Sequence, residues 1–151
     1  LNLKWLSKIY DLRGEVFDVR AGDARRLSRQ FEAESFDAAV TEPILLPPLR
    51  KPVAVEHAER MLSEAEEVYS SALTEMAKVV KKRGRIIITA PYVKTRDRRL
   101  LSFPLQKRTS RLGLNPYAPH GIRHFQQPFF PAMQEDQRVF RGIYVFEKIG
   151  G

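Results

Sequence analysis

Apolar residues recur along this chain with two different spacings. Between residues 53 and 82 they return every three or four positions, which predicts a long amphipathic helix. Residues 85–90, RIIITA, are a nearly continuous β-branched run, as expected for a strand buried on both faces of a parallel sheet. The shorter apolar run at residues 36–40 predicts another buried strand, although Asp37 interrupts it. The middle of the chain is therefore predicted to alternate between strand and helix.

The flanking segments predict further elements of both kinds. Helices are expected over residues 2–12, 25–31 and 100–112, and strands over residues 15–21, 123–130 and 138–147. Gly14 is expected to end the first helix, Gly84 the long helix, and Pro91 the strand at 85–90. The last two strands are separated by a short polar turn and are expected to form a hairpin. The order of elements predicts one domain with a three-layer α/β fold, whose last strand pairs antiparallel.

Polar residues follow two of the predicted strands. The two tripeptides are Gly22-Asp23-Ala24 and Thr41-Glu42-Pro43. Ligands in open α/β sheets lie outside the carboxyl ends of the strands, so both tripeptides are candidate site residues. Each also has a simpler interpretation, because Asp23 could cap the helix that follows it and the second tripeptide could be an ordinary strand-to-helix loop.

Composition limits the classes of function. The 151 residues, 43% of them apolar, suffice for one domain with a core. No stretch of 18 apolar residues and no signal-like segment is present, so a cytoplasmic protein without membrane contact is expected. The chain has no cysteine and three histidines, which argues against a metal site. His57 is expected on the surface of the long helix, and His120 and His124 are expected to be structural.

The net charge of +8 favours polyanionic partners, and nucleic acid in particular. A group of cations is predicted to form a phosphate-contacting rim at the sheet edge that carries Glu42. These cations are Arg50, Lys51, Lys94, Arg96, Arg98 and Arg99. A merely solvated basic surface is the alternative, because composition alone does not distinguish the two.

Several stretches together resemble the RNA methylase family that contains the tRNA guanine-N2 methyltransferases, which are often fused to a THUMP domain. The matching stretches cover nearly all of the chain and are Asn2-Leu3-Lys4-Trp5-Leu6, Gly22-Asp23-Ala24-Arg25, Phe36-Asp37-Ala38, Val40-Thr41-Glu42-Pro43 and Arg141-Gly142-Ile143-Tyr144-Val145-Phe146. The resemblance implies a Rossmann-like methyltransferase sheet that uses S-adenosylmethionine and acts on RNA, with tRNA as the expected substrate. An upstream THUMP-type domain, or self-association of the chain, is expected to accompany it.

The resemblance also implies roles for individual residues. In the family, the acid after the third strand receives the adenine amino group of the cofactor, a role that falls on Asp23 with the backbone of Ala24. The motif after the next strand holds the exocyclic amine of the target base. It falls on Thr41, Glu42 and Pro43, with either Thr41 or Glu42 at the family's Asp/Asn position. Methylation of an amine requires an acceptor that orients its hydrogens, and Glu42 would supply that acceptor.

The chain departs from the family pattern in two respects. The glycine-rich loop and the acidic residue that hold the rest of the cofactor are absent, and the chain starts inside a helical pattern, so we expect it to be the catalytic C-terminal portion of a longer enzyme. Ile44, Leu45 and Leu46 stand where an aromatic residue and a glycine are usual. Two other functions therefore stay open: a nucleic-acid-binding module on a degenerate methyltransferase scaffold, and an amino methyltransferase acting on DNA or on protein glutamine.

Overall fold

The computed structural model describes residues 2–10, 17–43, 46–118, 127–131 and 136–149. Its helices are α1 (Asn2–Ile9), α2 (Val55–Val79) and α3 (Leu105–Thr109), with two short 3-10 helices at Ala24–Arg29 and Ser110–Leu112. Its strands are β1 (Phe36–Thr41), β2 (Val80–Lys94), β3 (Leu100–Leu101), β4 (Leu114–Pro116) and β5 (Val139–Lys148).

The strands form one open sheet in the order β1-β2-β5-β4, with β3 paired to the carboxyl end of β2. β1 runs parallel to β2, whereas β5 runs antiparallel to both β2 and β4. The structure therefore confirms the predicted mixed α/β fold with one open sheet and an antiparallel last strand.

The core lies between α2 and one face of the sheet. Ile86 and Ile88 of β2 and Phe146 of β5 are fully buried, and they meet Leu73 of α2 in one apolar cluster. Alternate residues of a strand point to the same face, so the β-branched run of β2 presents isoleucines to the helix. The apolar stripe of α2 covers this face, as the spacing of residues 53–82 predicts.

β1 is more exposed than the sequence predicts. Ala39 and Thr41, which point toward α2, are half-buried, whereas Ala38 and Val40 on the other face are exposed. Val40 is 73% exposed. The prediction of a buried strand is wrong because β1 is the edge strand of the described sheet, and no layer among the described residues covers its outer face.

Residues 17–21 have no regular secondary structure, so the strand predicted at 15–21 is wrong over its described part. Phe17 is 40% exposed and Val19 is 75% exposed. A strand needs a neighbour to satisfy its backbone groups and to cover its apolar side chains. Apolar spacing alone does not reveal whether such a neighbour is present.

The junction between α2 and β2 is shorter than predicted, because α2 ends at Val79 and β2 begins at the next residue. Gly84, predicted to end the helix, lies inside β2. A Cβ atom at Gly84 would stand 2.8 Å from the backbone oxygens of both Asp37 and Lys81, and Arg83 before it has a left-handed φ of 62°. Glycine is therefore required for the close approach of β1 and β2 at this irregular point of their pairing.

β2 also continues through Pro91, the predicted end of the strand, and reaches Lys94. The last β2 residue paired with β1 is Ile88, so β1 no longer lies beside Pro91. Proline has no backbone N–H to donate to a neighbouring strand, and on this side of Pro91 β1 is no longer present to accept one. The Pro91 carbonyl accepts a hydrogen bond from Ser102 Oγ at 2.8 Å. β2 can therefore extend past the proline while β5 pairs along its other side.

The shorter helices differ from prediction mainly in their limits. The basic helix predicted at residues 25–31 is the 3-10 helix Ala24–Arg29. The helix predicted at residues 100–112 begins only after Pro104, because residues 100 and 101 pair with β2 as β3. α1 occupies the first part of the helix predicted at residues 2–12, and Gly14 lies outside the described residues.

The predicted terminal hairpin is described in part. β5 confirms the strand predicted at residues 138–147. Residues 123–126 and 132–135, which hold part of its predicted partner and of the turn, lie outside the described ranges. Within those ranges, Phe129 forms an isolated antiparallel bridge with Ile143 of β5.

Candidate active site

Glu42 follows the last residue of β1 and forms an ion pair with Arg141 of β5. The pair joins residues 99 positions apart, and the sheet brings them together because Arg141 lies opposite Pro91, beyond the end of β1. Arg141 Nε donates to Glu42 Oε1, and both side chains are about half exposed. The carboxylate is therefore held in one direction at the carboxyl end of β1 while remaining accessible to a ligand.

A cavity of about 310 Å³ adjoins this ion pair, between the loop after β1 and the start of β5. This volume is at the lower end of the range for small-molecule sites. Apolar and polar side chains share its lining, which consists of Leu46, Pro48, Leu49, Gln137, Arg138, Val139 and Arg141. Such a mixed lining is suited to one flat, polar-edged group whose faces meet aliphatic carbon.

Two buried tyrosines, Tyr69 and Tyr144, belong to the core between α2 and the sheet, and the half-buried Tyr92 packs against that core. Burial raises the pKa of Tyr69, and the charge of Glu42 raises it further. Burial also raises the pKa of Tyr144, as does the hydrogen bond between its hydroxyl and that of Tyr92. A Cβ at Gly142 would stand 2.5 Å from the Tyr92 ring, so this glycine leaves room for that ring. The two buried phenols therefore stay neutral at ordinary pH.

Asp23 caps the 3-10 helix Ala24–Arg29, which confirms the capping interpretation of this residue. Its Oδ1 accepts from Arg25 N at 2.9 Å, and its Oδ2 accepts from Arg25 Nη2 at 2.8 Å. The Arg25 side chain, followed by its backbone N–H, lowers the pKa of Asp23 to about 2. Asp23 is therefore an ionised acceptor at neutral pH, and both of its oxygens already have partners.

Ala24 and Thr41 line one apolar cavity of about 270 Å³, so the structure brings together one residue from each candidate tripeptide. The other lining residues are Leu27, Phe31, Phe36, Ala38, Ala39, Val40, Met76 and Val79. An apolar cavity beside an ionised carboxylate fits adenine, whose faces are apolar and whose amino group donates hydrogen bonds. The apolar lining, which includes Ala24, fits the adenine end of S-adenosylmethionine. Asp23 is not among the lining residues and is hydrogen-bonded to Arg25, so its contact with adenine stays a prediction.

Glu75 of α2 fixes the 3-10 helix in place. Its Oε2 accepts from Ser28 N at 2.8 Å and from Ser28 Oγ at 2.6 Å, and its Oε1 accepts from Lys78. Glu75 is buried, and the hydrogen bonds from Lys78 and then from Ser28 lower its pKa to about 2. A buried carboxylate thus couples α2 to the segment that starts at Ala24.

The structure brings the two segments of the predicted rim together. Val53 forms a parallel bridge with Thr95, and Arg96 N donates to Val53 O at 2.8 Å, so residues 50–53 lie beside residues 94–99. Arg50, Lys51, Arg96, Arg98 and Arg99 are exposed, and Lys94 is half-buried. Arg99 pairs with Asp97 at 2.7 Å, and the remaining five rim cations have no ion-pair partner among the described residues.

The 94–99 loop is ordered from within by a buried threonine. Thr95 is 2% exposed, and its backbone N–H and its hydroxyl both donate to Arg99 O. The Thr95 hydroxyl also donates to Asp97, and this bond lowers the pKa of Asp97, with a further contribution from Arg99. The turn thereby presents Arg96 and Arg98 outward, next to Lys94, whose N–H donates to the Arg138 carbonyl at the cavity.

We expect Arg96→Ala/Arg98→Ala to weaken binding of transfer RNA, because both cations are exposed and unpaired within the described chain. The slope of log affinity against log salt should fall by about one for each lost phosphate contact. Fluorescence anisotropy across a salt series measures it, with Arg29→Ala/Lys82→Ala as a control of equal charge loss. A slope that changes equally in both variants, or in neither, contradicts the prediction that the rim contacts phosphates.

Arg141 is a site residue that the sequence does not single out. Arg141 opens the last of the family-like stretches, but only the pairing of β5 with β2 shows that it faces Glu42. Ile44 and Leu45 lie outside the described residues, and Leu46 lines the cavity beside Glu42. Thr41 lines the other cavity, the apolar one of about 270 Å³ that Ala24 also lines.

The remaining candidate chemistry is limited within the described ranges. His57 is exposed on α2, which confirms its surface position, whereas His120 and His124 lie outside those ranges. The described residues contain no group of three histidine and acidic side chains placed to hold a metal ion. None of the described helices combines the length and the apolar character needed to cross a bilayer.

Comparison with known proteins identifies the fold. No family model and no curated protein matches the chain. A Thermus thermophilus protein described as a putative DNA modification methylase is 24% identical, with a TM-score of 0.56 over 90% of this chain and 56% of its own. A SAM-dependent methyltransferase of Methanosarcina mazei is 10% identical, with a TM-score of 0.51 over 98% of this chain and 76% of its own.

A third structure, a putative sarcosine dimethylglycine methyltransferase of Galdieria sulphuraria, is 14% identical, with a TM-score of 0.52 over 96% of this chain and 64% of its own. The chain thus spans just over half the length of the Thermus protein. All three similar structures are described as methylases or methyltransferases, and each covers most of this chain. The chain has the Rossmann-like fold of the S-adenosylmethionine-dependent methyltransferases.

Proposed function

We propose that this chain is the catalytic portion of an S-adenosylmethionine-dependent methyltransferase that modifies the exocyclic amino group of a nucleic-acid base, with guanine N2 in RNA as the target. The observation that carries the proposal is the position of Glu42. It stands at the carboxyl end of β1, held by Arg141 beside a cavity, on a methyltransferase fold. Ligands of open α/β sheets lie at such strand ends.

Glu42 has one carboxylate oxygen to offer a substrate. Oε1 is occupied by Arg141, while Oε2 has no hydrogen-bond partner among the described residues. An amino group donating to Oε2 would be fixed in direction, so that its nitrogen lone pair points away from the carboxylate. S-adenosylmethionine, when bound, supplies an electrophilic methyl group. Glu42 is also placed to take the proton that the amine nitrogen loses on methylation.

The surroundings of Glu42 support a nucleic-acid base as the group that carries the amine. The cavity beside it touches the rim through Arg138, whose carbonyl accepts from Lys94 N at 2.9 Å. A base in the cavity would therefore have its phosphates near the exposed cations of the rim. The net charge of +8 favours the same class of partner.

RNA is proposed from the resemblance of the family-like stretches to the tRNA guanine-N2 methyltransferases. A second candidate has its own observation: the Thermus protein of similar fold is described as a putative DNA modification methylase. An adenine or cytosine amino group in DNA would satisfy Glu42 Oε2 in the same way. The two candidates differ in the nucleic acid that accepts the methyl group, which a methyl-transfer assay distinguishes.

We expect the 151 residues alone to bind S-adenosylmethionine more weakly than micromolar, because the contacts proposed for Asp23 and Ala24 would hold only its adenine end. Isothermal titration calorimetry of this chain, and of the longest natural protein that contains it, measures the difference. The longer protein should bind in the micromolar range. Micromolar binding by the 151 residues contradicts this prediction, and absence of binding by the longer protein contradicts the proposed function.

A further inference from the structure

A groove of about 440 Å³ lies between α2 and the segment that contains α3, apart from the candidate active site. Its lining consists of Glu66, Ser70, Thr74, Pro104, Lys107, Arg108, Arg111 and Leu112. Three of these side chains are cations and one is a carboxylate. We propose that this groove binds the phosphate backbone of the nucleic-acid substrate as a second contact surface. This inference rests on the proposed function for the class of substrate.

The charges of the groove are unbalanced. Arg108 donates to Glu66 Oε1 from Nη2 at 2.7 Å and from Nε at 3.1 Å, so one oxygen of the groove's single carboxylate is occupied. Lys107 and Arg111 are exposed and have no ion-pair partner among the described residues. Like charges this close in sequence repel one another, and an anion in the groove removes that cost.

The neutral part of the lining identifies the kind of anion. The hydroxyls of Ser70 and Thr74 donate to backbone oxygens of their own helix, at 2.7 and 2.8 Å, so they are not donors for a ligand. Pro104 and Leu112 supply apolar surface beside the cations. Cations next to small apolar patches suit a chain of phosphates joined by sugars, because the sugars can rest on carbon while the phosphates meet Lys107 and Arg111.

The distance between the groove and the rim can be estimated along the axis of α2. Val53 of the rim segment stands two residues before α2, and Glu66 and Thr74 stand 11 and 19 residues after its first residue, Val55. At 1.5 Å per residue these are about 17 and 29 Å along the helix axis. A nucleic acid lying along α2 would therefore reach both surfaces, over a length of about five to eight base pairs if it were B-form DNA with about 3.4 Å per phosphate of one strand.

The test is Lys107→Gln/Arg111→Gln, which removes the two unpaired cations and leaves the Arg108–Glu66 pair in place. The probes are unfractionated transfer RNA and a 20-base-pair DNA duplex, measured by fluorescence anisotropy across a salt series. We expect affinity near 0.15 M salt to fall by roughly ten- to thirtyfold, and the slope of log affinity against log salt to fall by up to about two. Lys107→Glu/Arg111→Glu should fall further, and the control Arg29→Ala/Lys82→Ala should change little.

Two outcomes contradict the proposal that the groove binds the phosphate backbone. One is unchanged affinity and slope, with a lowered melting temperature, which would mean that the cations only stabilise the carboxyl end of α3. The other is an equal loss in the control variant. Methyl transfer measured on the same proteins keeps the two proposals separate. If the groove variant binds nucleic acid poorly, phosphate binding by the groove is supported. If the wild type also transfers no methyl group, the proposed function is contradicted while the groove proposal stands.

Discussion

Glu42→Ala is expected to lower the rate of methyl transfer by at least about a hundredfold in the natural protein that contains this chain. The variant removes the carboxylate that follows β1, and with it the acceptor that fixes the amine at near-attack distance, where misplacement is costly in rate. Glu42→Gln keeps the shape and one acceptor oxygen, so the rate of methyl transfer should fall less in this variant. Affinity for transfer RNA should stay nearly unchanged, because phosphate contacts dominate it. Single-turnover transfer of a labelled methyl group measures the rate.

Stability separates this role from a purely structural one. The Glu42–Arg141 pair is about half exposed, and exposed pairs contribute roughly 0–1 kcal/mol. Asp37→Ala is the matched control, because Asp37 lies near the start of the same strand and forms an exposed ion pair with Lys81 at 2.7 Å. The control should turn over normally. Near-normal turnover of Glu42→Ala with a lowered melting temperature would remove Glu42 from the mechanism and leave Thr41 as the remaining candidate.

Glu75→Gln is expected to destabilise the fold by about 2–3 kcal/mol at neutral pH. The substitution removes the charge that accepts hydrogen bonds from Ser28 and Lys78, and bonds to a buried charged acceptor are among the stronger ones. Taking the pKa of Glu75 from near 4.5 to about 2 corresponds to about 3 kcal/mol. Urea unfolding measures the loss, and Glu59→Gln, on the exposed surface of α2, should stay within about 0.5 kcal/mol of the wild type.

The direction of the pKa shift of Glu75 fixes how the difference in unfolding free energy between wild type and Glu75→Gln depends on pH. Glu75 has a lowered pKa in the folded state, so its contribution is present above the unfolded pKa near 4.5 and is lost as pH falls toward 2. The difference in unfolding free energy between wild type and Glu75→Gln should therefore shrink steadily between pH 4.5 and pH 2. A difference that stays constant across this window, or is absent at neutral pH, contradicts the role assigned to Glu75.

The elements that depend on local pattern were predictable from the sequence. The spacing of apolar residues in α2 and the β-branched run of β2 each bury a defined set of side chains, so both elements follow from periodicity. The end of β1 at Thr41, followed by Glu42 and Pro43, follows in the same way. The capping role of Asp23 follows from its place before a basic helix.

Features that depend on a distant neighbour were not predictable. Gly84 is required because the backbone of Asp37 comes close, and Pro91 is tolerated because β1 ends at Thr41, opposite Ile88. The contact between Glu42 and Arg141 depends on the register of β5 against β2, which no spacing along the chain contains. Sequence pattern therefore shows where a site can lie, and pairing across the sheet shows which side chains complete it.

The most direct test of the proposed function is a methyl-transfer assay with product identification. The natural protein that contains this chain is incubated with methyl-labelled S-adenosylmethionine and either transfer RNA or duplex DNA, and the nucleosides are then separated and identified by mass spectrometry. We expect label in N2-methylguanosine from the RNA, reduced at least about a hundredfold by Glu42→Ala. Label in an amino-methylated base of the DNA alone would contradict the RNA assignment, and no label in either nucleic acid would contradict the central claim.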